Sequence, residues 1–142
     1  MTRAQIISDL MDCLTAMGPA QGQPLAAATV VRGIHLAHEL PELPGLALFN
    51  QKLETKEESD RSAQRRLVLH LWGAVHAVDS NFSQLDALIA SVFAALSDPA
   101  LNPHWALTTA GALELYEGGA GDPLGIFDLE LSVSYESALG II

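Results

Sequence analysis

Hydrophobic and polar residues alternate with little error in residues 125–137, "GIFDLELSVSYES". A period of two is typical of a β-strand with one buried face and one face in water. Residues 66–75, "RLVLHLWGAV", alternate in the same way and predict another strand. In that strand His70 and Trp72 lie on the side opposite Leu69 and Leu71. Three shorter segments are also typical of strands: residues 29–34, 46–54 and 112–117.

Two other segments have the spacing of amphipathic helices. Thr2 and Gln5 form a capping box, and a stripe of apolar residues at helical spacing follows it and ends at Gly18. A second helix is predicted from about Phe82 to Leu96, with Ser83 and Asp86 offering an N-terminal cap.

The connections between these elements are of two kinds. Residues 35–45 contain two Leu-Pro pairs and a glycine, and this composition predicts an irregular connection. Residues 55–65, "TKEESDRSAQR", have little to bury and predict a hairpin tip or a mobile loop. The element order is therefore α-β-β-β-α-β-β. It predicts one α+β domain over residues 1–142, with a largely antiparallel sheet of about five strands and two helices packed on one face.

Charge is distributed unevenly along the chain. The net charge is −10, and five of the seven basic residues lie between positions 50 and 66. From residue 67 onward there are nine carboxylates and no lysine or arginine. Proteins that bind nucleic acid use lysine and arginine side chains to neutralise the phosphates. We therefore expect no DNA or RNA binding by the folded domain.

The composition restricts the class of protein further. Hydrophobic residues make up 49% of the chain, which indicates surface buried against other copies. Cys13 is the single cysteine, and we predict that it is a core residue and not part of a disulfide or a nucleophile. No apolar run approaches the length of about 18 residues that a membrane span needs, and Asp9 and Asp12 interrupt any signal peptide. We therefore expect a protein made and kept in the cytosol, or in something assembled there.

A search for catalytic or metal-binding motifs yields only weak candidates. His35, His38 and Glu39 are close in sequence but run into two prolines, and His70 and His76 share a face only if their strand continues through Gly73. Asp128 and Glu130 would need a desolvated carboxyl group to act as acid and base, and the pattern puts them on the wet face with no histidine or lysine in register. The sequence predicts no enzyme, no catalytic residue, no metal and no cofactor.

The layout of the chain resembles the tail terminator proteins of long-tailed bacteriophages. The resemblance is carried by the opening helix "RAQIISDLMDCLTAMG" and the segment "ELPELPGLALFNQKLE". It continues with the strand, loop and helix "RLVLHLWGAVHAVDSNFSQLDALIASVFAAL" and the closing "GDPLGIFDLELSVSYES". It implies a hexameric ring in the virion that caps the finished tail tube, stops its polymerisation and presents a surface for head–tail joining. The implied partners are further copies of the chain, the tail tube protein and a head-completion or connector protein, with assembly in the host cytoplasm.

Three alternatives remain open at this point. The first is another neck component, such as a head–tail connector or a tail completion protein. The second is a small cytosolic enzyme that uses the carboxylates of the last strand. The third is an adaptor that binds an acidic partner through residues 50–66.

Two surfaces carry the functional hypothesis. If the chain forms a ring, DNA must pass through the hole without binding, and an acidic wall would repel it. The candidates for this wall are Asp128, Glu130 and Glu136, followed by Glu114 and Glu117. The alternative is that this strand face lies outside the ring and is merely solvated. The loop after residue 55 is the candidate interface, with Lys56, Arg61, Arg65 and Arg66 as contact residues.

Overall fold

A computed structural model describes residues 1–33, 39–76, 82–118 and 124–142. It contains two α-helices and five strands in the predicted order. The elements are α1 (Arg3–Ala16), β1 (Thr29–Arg32), β2 (Gly45–Glu58), β3 (Ser62–His76), α2 (Ser83–Ser97), β4 (Thr108–Glu117) and β5 (Leu124–Ala138). The α+β class and the element order are confirmed.

The five strands form one sheet in the order β1-β2-β3-β5-β4. The short strand β1 runs parallel to β2, and the other three pairings are antiparallel. The last strand in sequence, β5, therefore lies inside the sheet between β3 and β4. The two edges of the sheet are formed by β1 and β4.

Both helices pack on the same face of the sheet, as the sequence predicted. Every second residue of β5 points into this layer, and Phe127, Leu129, Leu131 and Val133 are at most 1% exposed. The apolar stripes of α1 and α2 pack into the same core, and Leu10 of α1 is one of the buried residues. We call this side of the sheet the helix face and the other side the open face.

The N-termini of both helices test the caps that the sequence predicted. The hydroxyl of Thr2 accepts a hydrogen bond from the Gln5 amide at 3.2 Å, so the predicted cap of α1 is confirmed. The cap predicted for α2 is wrong by one residue. Phe82 is the N-cap, in a left-handed conformation with φ of 53°, and Ser83 is the first helical residue.

The connection after α2 is tied to both helices. The Asn102 side chain donates to the carbonyl of Leu96 at 2.9 Å, near the end of α2. The buried His104 ring lies 2.8 Å from Asp9 of α1, through Nε2 and Oδ2. The first contact is local, and the second joins segments 95 residues apart, so together they tie this connection to both helices.

The hairpin tip predicted at residues 55–65 is present but shorter than expected, and the alternative of a mobile loop over these residues is wrong. β2 extends to Glu58 and β3 begins at Ser62, so only residues 59–61 form the turn. Strand pairing with β5 supports this part of the hairpin: Ser62 lies opposite Ala138 and Gln64 opposite Glu136. Paired backbone groups and cross-strand polar contacts stabilise a strand that has few apolar side chains.

Candidate functional site

The open face is the candidate functional surface, because no helix of the described residues covers it. Directly paired residues of neighbouring strands share a face, and the pairings His70–Glu130 and Glu114–Asp128 place all four residues on this side. At one end the segment before β2 covers the sheet, where buried Leu40 packs against Ala47 and Ala74. The centre of the face and its hairpin end stay uncovered.

His70 occupies the centre of the open face. Its ring stacks on Phe49 of β2 with a centroid distance of 5.4 Å and an interplanar angle of 10°. Its Nδ1 lies 2.7 Å from Oδ1 of Asp128, a hydrogen bond that the carboxylate accepts. The expectation that no histidine stands in register with these carboxylates is therefore wrong. The alternation of β5 defines its faces, but the register against β3 depends on contacts across 58 residues of sequence.

Four of the five predicted acidic wall residues share the open face. Asp128 and Glu130 are half-buried there, and Glu114 lies opposite Asp128. Exposed Glu136 accepts a hydrogen bond from Gln64 Nε2 at 3.0 Å. The sequence thus identified four carboxylates that the fold brings to one surface.

Glu117 does not belong to this set. It pairs with Gly125 of β5, and a Cβ at Gly125 would contact the side chains of Phe82 and Leu85 in the helix layer. Glu117 therefore points to the helix face. The placement of Glu117 with Glu114 on one surface is a wrong prediction, because residues three apart on a strand face opposite sides.

The basic residues form a separate group at the hairpin end of the open face. Lys52 Nζ, Lys56 Nζ and Arg66 Nη1 lie 3.0, 3.2 and 3.5 Å from the carboxylate of Glu54. Hydrogen bonds from Lys52 and then Lys56 lower the pKa of Glu54 to about 2. A single carboxylate thus contacts three cations at the hairpin end, where Glu136 also lies, while Asp128, Glu130 and Glu114 lie nearer the centre of the open face.

The four predicted contact residues do not lie together on a loop. Only Arg61 is in the turn, whereas Lys56 is on β2 and Arg65 and Arg66 are on β3. Arg66 points to the open face, where it meets Glu54, and Arg65 points to the helix face, where it is nearly buried. The interface role of these residues stays a prediction, now for a strand pair instead of a loop.

The described residues offer little for catalysis. His70 with Asp128 is a base held by a carboxylate, but no serine or cysteine in the described part of the chain is hydrogen-bonded to the ring. His70 and His76 share a face because the strand continues through Gly73, yet six residues separate them by about 20 Å. His35 and His38 lie outside the described residues. Across the described ranges no group of three histidine, cysteine or acidic side chains is arranged to hold a metal.

The sequence did not predict that His70 contacts Asp128 or that Arg65 is nearly buried. The alternation of β3 does place His70 on the face of Trp72, so the pattern contained part of the signal. The buried environment of Arg65 gave no such signal, because its partners come from other strands.

Comparison with known proteins adds no family assignment. None of the helices in the described residues is both long and apolar enough to span a membrane. No protein-family model matches the chain, and a search among curated proteins finds no significant similarity.

Proposed function

We propose that this chain is a structural assembly protein of the virion, a tail terminator that forms a ring on the head-proximal end of a phage tail tube. The observation that carries the proposal is the form of the sheet. Within the described residues it has one face covered by helices, one face without helices that carries four of the predicted carboxylates, and two long edges without a neighbouring strand. The number of copies in the ring is taken from the resemblance, which implies six.

The first free edge is β4. This strand has ten residues, has β5 as its one neighbouring strand in the described part of the chain, and is exposed at all but its first position. It contains no lysine, arginine or proline, the residues that commonly protect an edge strand from pairing. Leu113, Leu115 and Tyr116 are exposed on it, and Trp105 and Leu107 are exposed just before it. An edge strand that has exposed apolar side chains and no lysine, arginine or proline favours contact with another chain.

The second free edge is the distal part of β2. β2 has 14 residues and β1 pairs with the first four, so within the described ranges residues 49–58 have a neighbouring strand only on the β3 side. β4 runs opposite to β5, and β5 runs in the same direction as β2. If copies are arranged around an axis with the same orientation, β4 of one copy meets β2 of the next as an antiparallel pair.

Charge favours this head-to-tail contact over pairing of two β4 strands. Residues 1–66 contain seven basic and eight acidic side chains, whereas residues 67–142 contain nine acidic and no basic ones. Two β4 strands side by side would bring Glu114 and Glu117 of both copies together. The β2 edge carries Lys52 and Lys56 among Glu54, Glu57 and Glu58, so it offers β4 two cations where a second β4 strand offers none. Opposite charges across strands are stabilising. A heterologous contact of this kind closes into a ring.

The helix layer indicates which face would line the hole. Helices on one side of a sheet need more room than side chains alone, so a closed sheet accommodates them on its outer, convex side. The open face would then face the hole, with Asp128, Glu130, Glu136 and Glu114 at its wall. Carboxylates act on DNA over a Debye length of about 8 Å at physiological salt, so only charges at the wall itself repel the duplex.

The decisive experiment replaces two wall residues in the phage. Asp128→Lys with Glu130→Lys should leave the fold intact and slow DNA ejection. A double variant in the exposed helix layer, Asp12→Lys with Asp86→Lys, makes the same charge change away from the hole and should eject DNA normally. Equal ejection kinetics in both variants would remove the wall assignment.

A second measurement tests the ring and its place. Electron microscopy of tails should show a ring of copies at the head-proximal end, and one copy per tail would refute the proposal. Binding of purified protein to tail tube subunits supports a terminator. Binding to the portal side alone would instead assign the chain to the connector class.

A further inference from the structure

Arg65 is a nearly buried arginine without an acidic partner. Its side chain is 9% exposed and lies on the helix face of β3, with Thr55 on one side and Tyr135 on the other. Nε donates to Ser137 Oγ at 2.8 Å and Nη1 donates to Thr55 Oγ1 at 2.9 Å. Among the described residues no carboxylate lies within 4.0 Å of this guanidinium, whereas neighbouring Arg66 reaches Glu54.

In this environment the positive charge of Arg65 has no described carboxylate partner, and some of its N–H donors have no described acceptor. A guanidinium has five N–H donors, and the two described hydrogen bonds of Arg65 go to neutral hydroxyl groups. Buried charges in proteins are normally paired, because an unpaired charge away from water is costly. The remaining N–H groups are therefore suited to an anion that approaches the side chain.

Tyr135 supplies an independent sign of the same ligand. It lies directly opposite Arg65, is 3% exposed, and its hydroxyl is the one buried side-chain polar atom in the described residues that has no hydrogen-bond partner. Burial raises the pKa of Tyr135, and the charges of Arg65 and then Arg3 act against that rise. The phenol remains protonated at neutral pH and can donate its hydrogen.

We propose that Arg65 and Tyr135 bind one oxyanion, a carboxylate or a phosphate group. The planar guanidinium matches the two oxygens of such a group, and the phenol donates to one of them. Thr55 is exposed, so the anion enters past its side chain, at the free edge of β2. The inference does not depend on the ring, since both residues belong to one chain.

The test uses Tyr135→Phe, which removes the unpartnered hydroxyl without changing the packing. Thermal unfolding is followed over a range of inorganic phosphate and, separately, acetate concentrations, with sodium chloride at matched ionic strength. For wild-type protein we expect stabilisation that grows with the anion, about 100-fold in the unfolding equilibrium at 100 times the dissociation constant. Tyr135→Phe should be more stable than wild type without anion and should lose most of the anion-dependent gain.

Two further variants keep the result unambiguous. Arg65→Gln should abolish the anion-dependent gain, and Arg66→Gln, which removes the same charge one residue away on the open face, should retain it. If all four proteins respond equally to phosphate and acetate, the site does not exist and the response is a general salt effect. If Arg65→Gln does not fold, Tyr135→Phe against Arg66→Gln decides.

Measurements at several protein concentrations distinguish the two possible sources of the anion. A carboxylate from a second copy predicts self-association that added phosphate inhibits and that Tyr135→Phe weakens, as measured by light scattering. A free phosphate ligand predicts the same binding at every protein concentration. Failure of this site would leave the ejection experiment on the open face unaffected, so the two proposals fail separately.

Discussion

The two faces of β5 differ in what their side chains contact, although they alternate along one strand. Leu129 and Leu131 are 1% exposed and pack under the helices. Between them, Glu130 is half-buried on the open face, where Gly111 of β4 lies so close that a Cβ there would be 3.2 Å from Oε1. Adjacent residues of one strand thus belong to a close-packed core and to a polar surface.

This difference separates stability from function within one element. Core side chains contact many neighbours, and their removal leaves a cavity. Open-face carboxylates such as Glu130 remain partly in water, so changes there cost little free energy of unfolding. A surface of this kind can therefore be altered to test function without unfolding the protein.

The largest contrast is expected between two neighbouring residues of β5. Leu129→Ala should lower the free energy of unfolding by about 2–5 kcal/mol, because it removes buried methyl groups and leaves a cavity. Glu130→Ala should change it by no more than about 0.5 kcal/mol. Urea denaturation followed by circular dichroism measures both. Equal losses would show that the open face is as tightly packed as the helix face.

A second contrast compares two glycines on opposite faces. A Cβ at Gly73 would meet the ring of Phe127, with Cζ at 2.7 Å, and Leu46 Cδ2 at 3.0 Å, both in the core. Gly73→Ala should therefore destabilise the protein by about 1–3 kcal/mol through overpacking.

Gly111→Ala is the matched control for Gly73→Ala. The Cβ at Gly111 meets only the end of the Glu130 side chain, which can move, so the free energy of unfolding should stay within about 1 kcal/mol of wild type. The same urea denaturation experiment measures the free energy of unfolding of both variants. A larger loss at Gly111 than at Gly73 would contradict the assignment of the two faces.

The smallest effect concerns the charges of the open face. Lys52→Met should raise the pKa of Glu54 from about 2 toward its ordinary value of 4.5, because the hydrogen bond from Lys52 is the main cause of the low value. Since the folded pKa is lowered, the stabilisation is present above about pH 4.5 and is lost as the pH falls toward 2. NMR titration of the Glu54 carboxyl carbon measures the shift.

Arg61→Met serves as the control for the titration, because Arg61 has no described contact with Glu54. Its pKa effect on Glu54 should be much smaller than that of Lys52→Met. The consequence for stability is small in both variants, since the group is partly in water and salt screens it. Equal shifts would mean that the low pKa reflects the general field of the hairpin and not the direct contact.

Local patterns predicted most of the fold. The capping box at Thr2 and the alternation of β5 are properties of neighbouring residues, and both elements appear where the sequence placed them. The hairpin tip was predicted too long because its charged residues are held by pairing with β5, which no local window contains. Local alternation was enough to assign four wall carboxylates to one face. The His70 contact and the buried position of Arg65 could not be predicted, because they depend on pairing between strands.

The central place of β5 also bears on how the chain folds during synthesis. β5 leaves the ribosome after every other strand, yet β3 and β4 both depend on it as a neighbour. Until it arrives, the inner edges of these two strands are unpaired and the apolar side chains of both helices lack half of their core. Topologies dominated by such non-local pairing fold slowly. A nascent chain that stops before Leu124 would therefore expose two strand edges to aggregation instead of presenting a finished sheet.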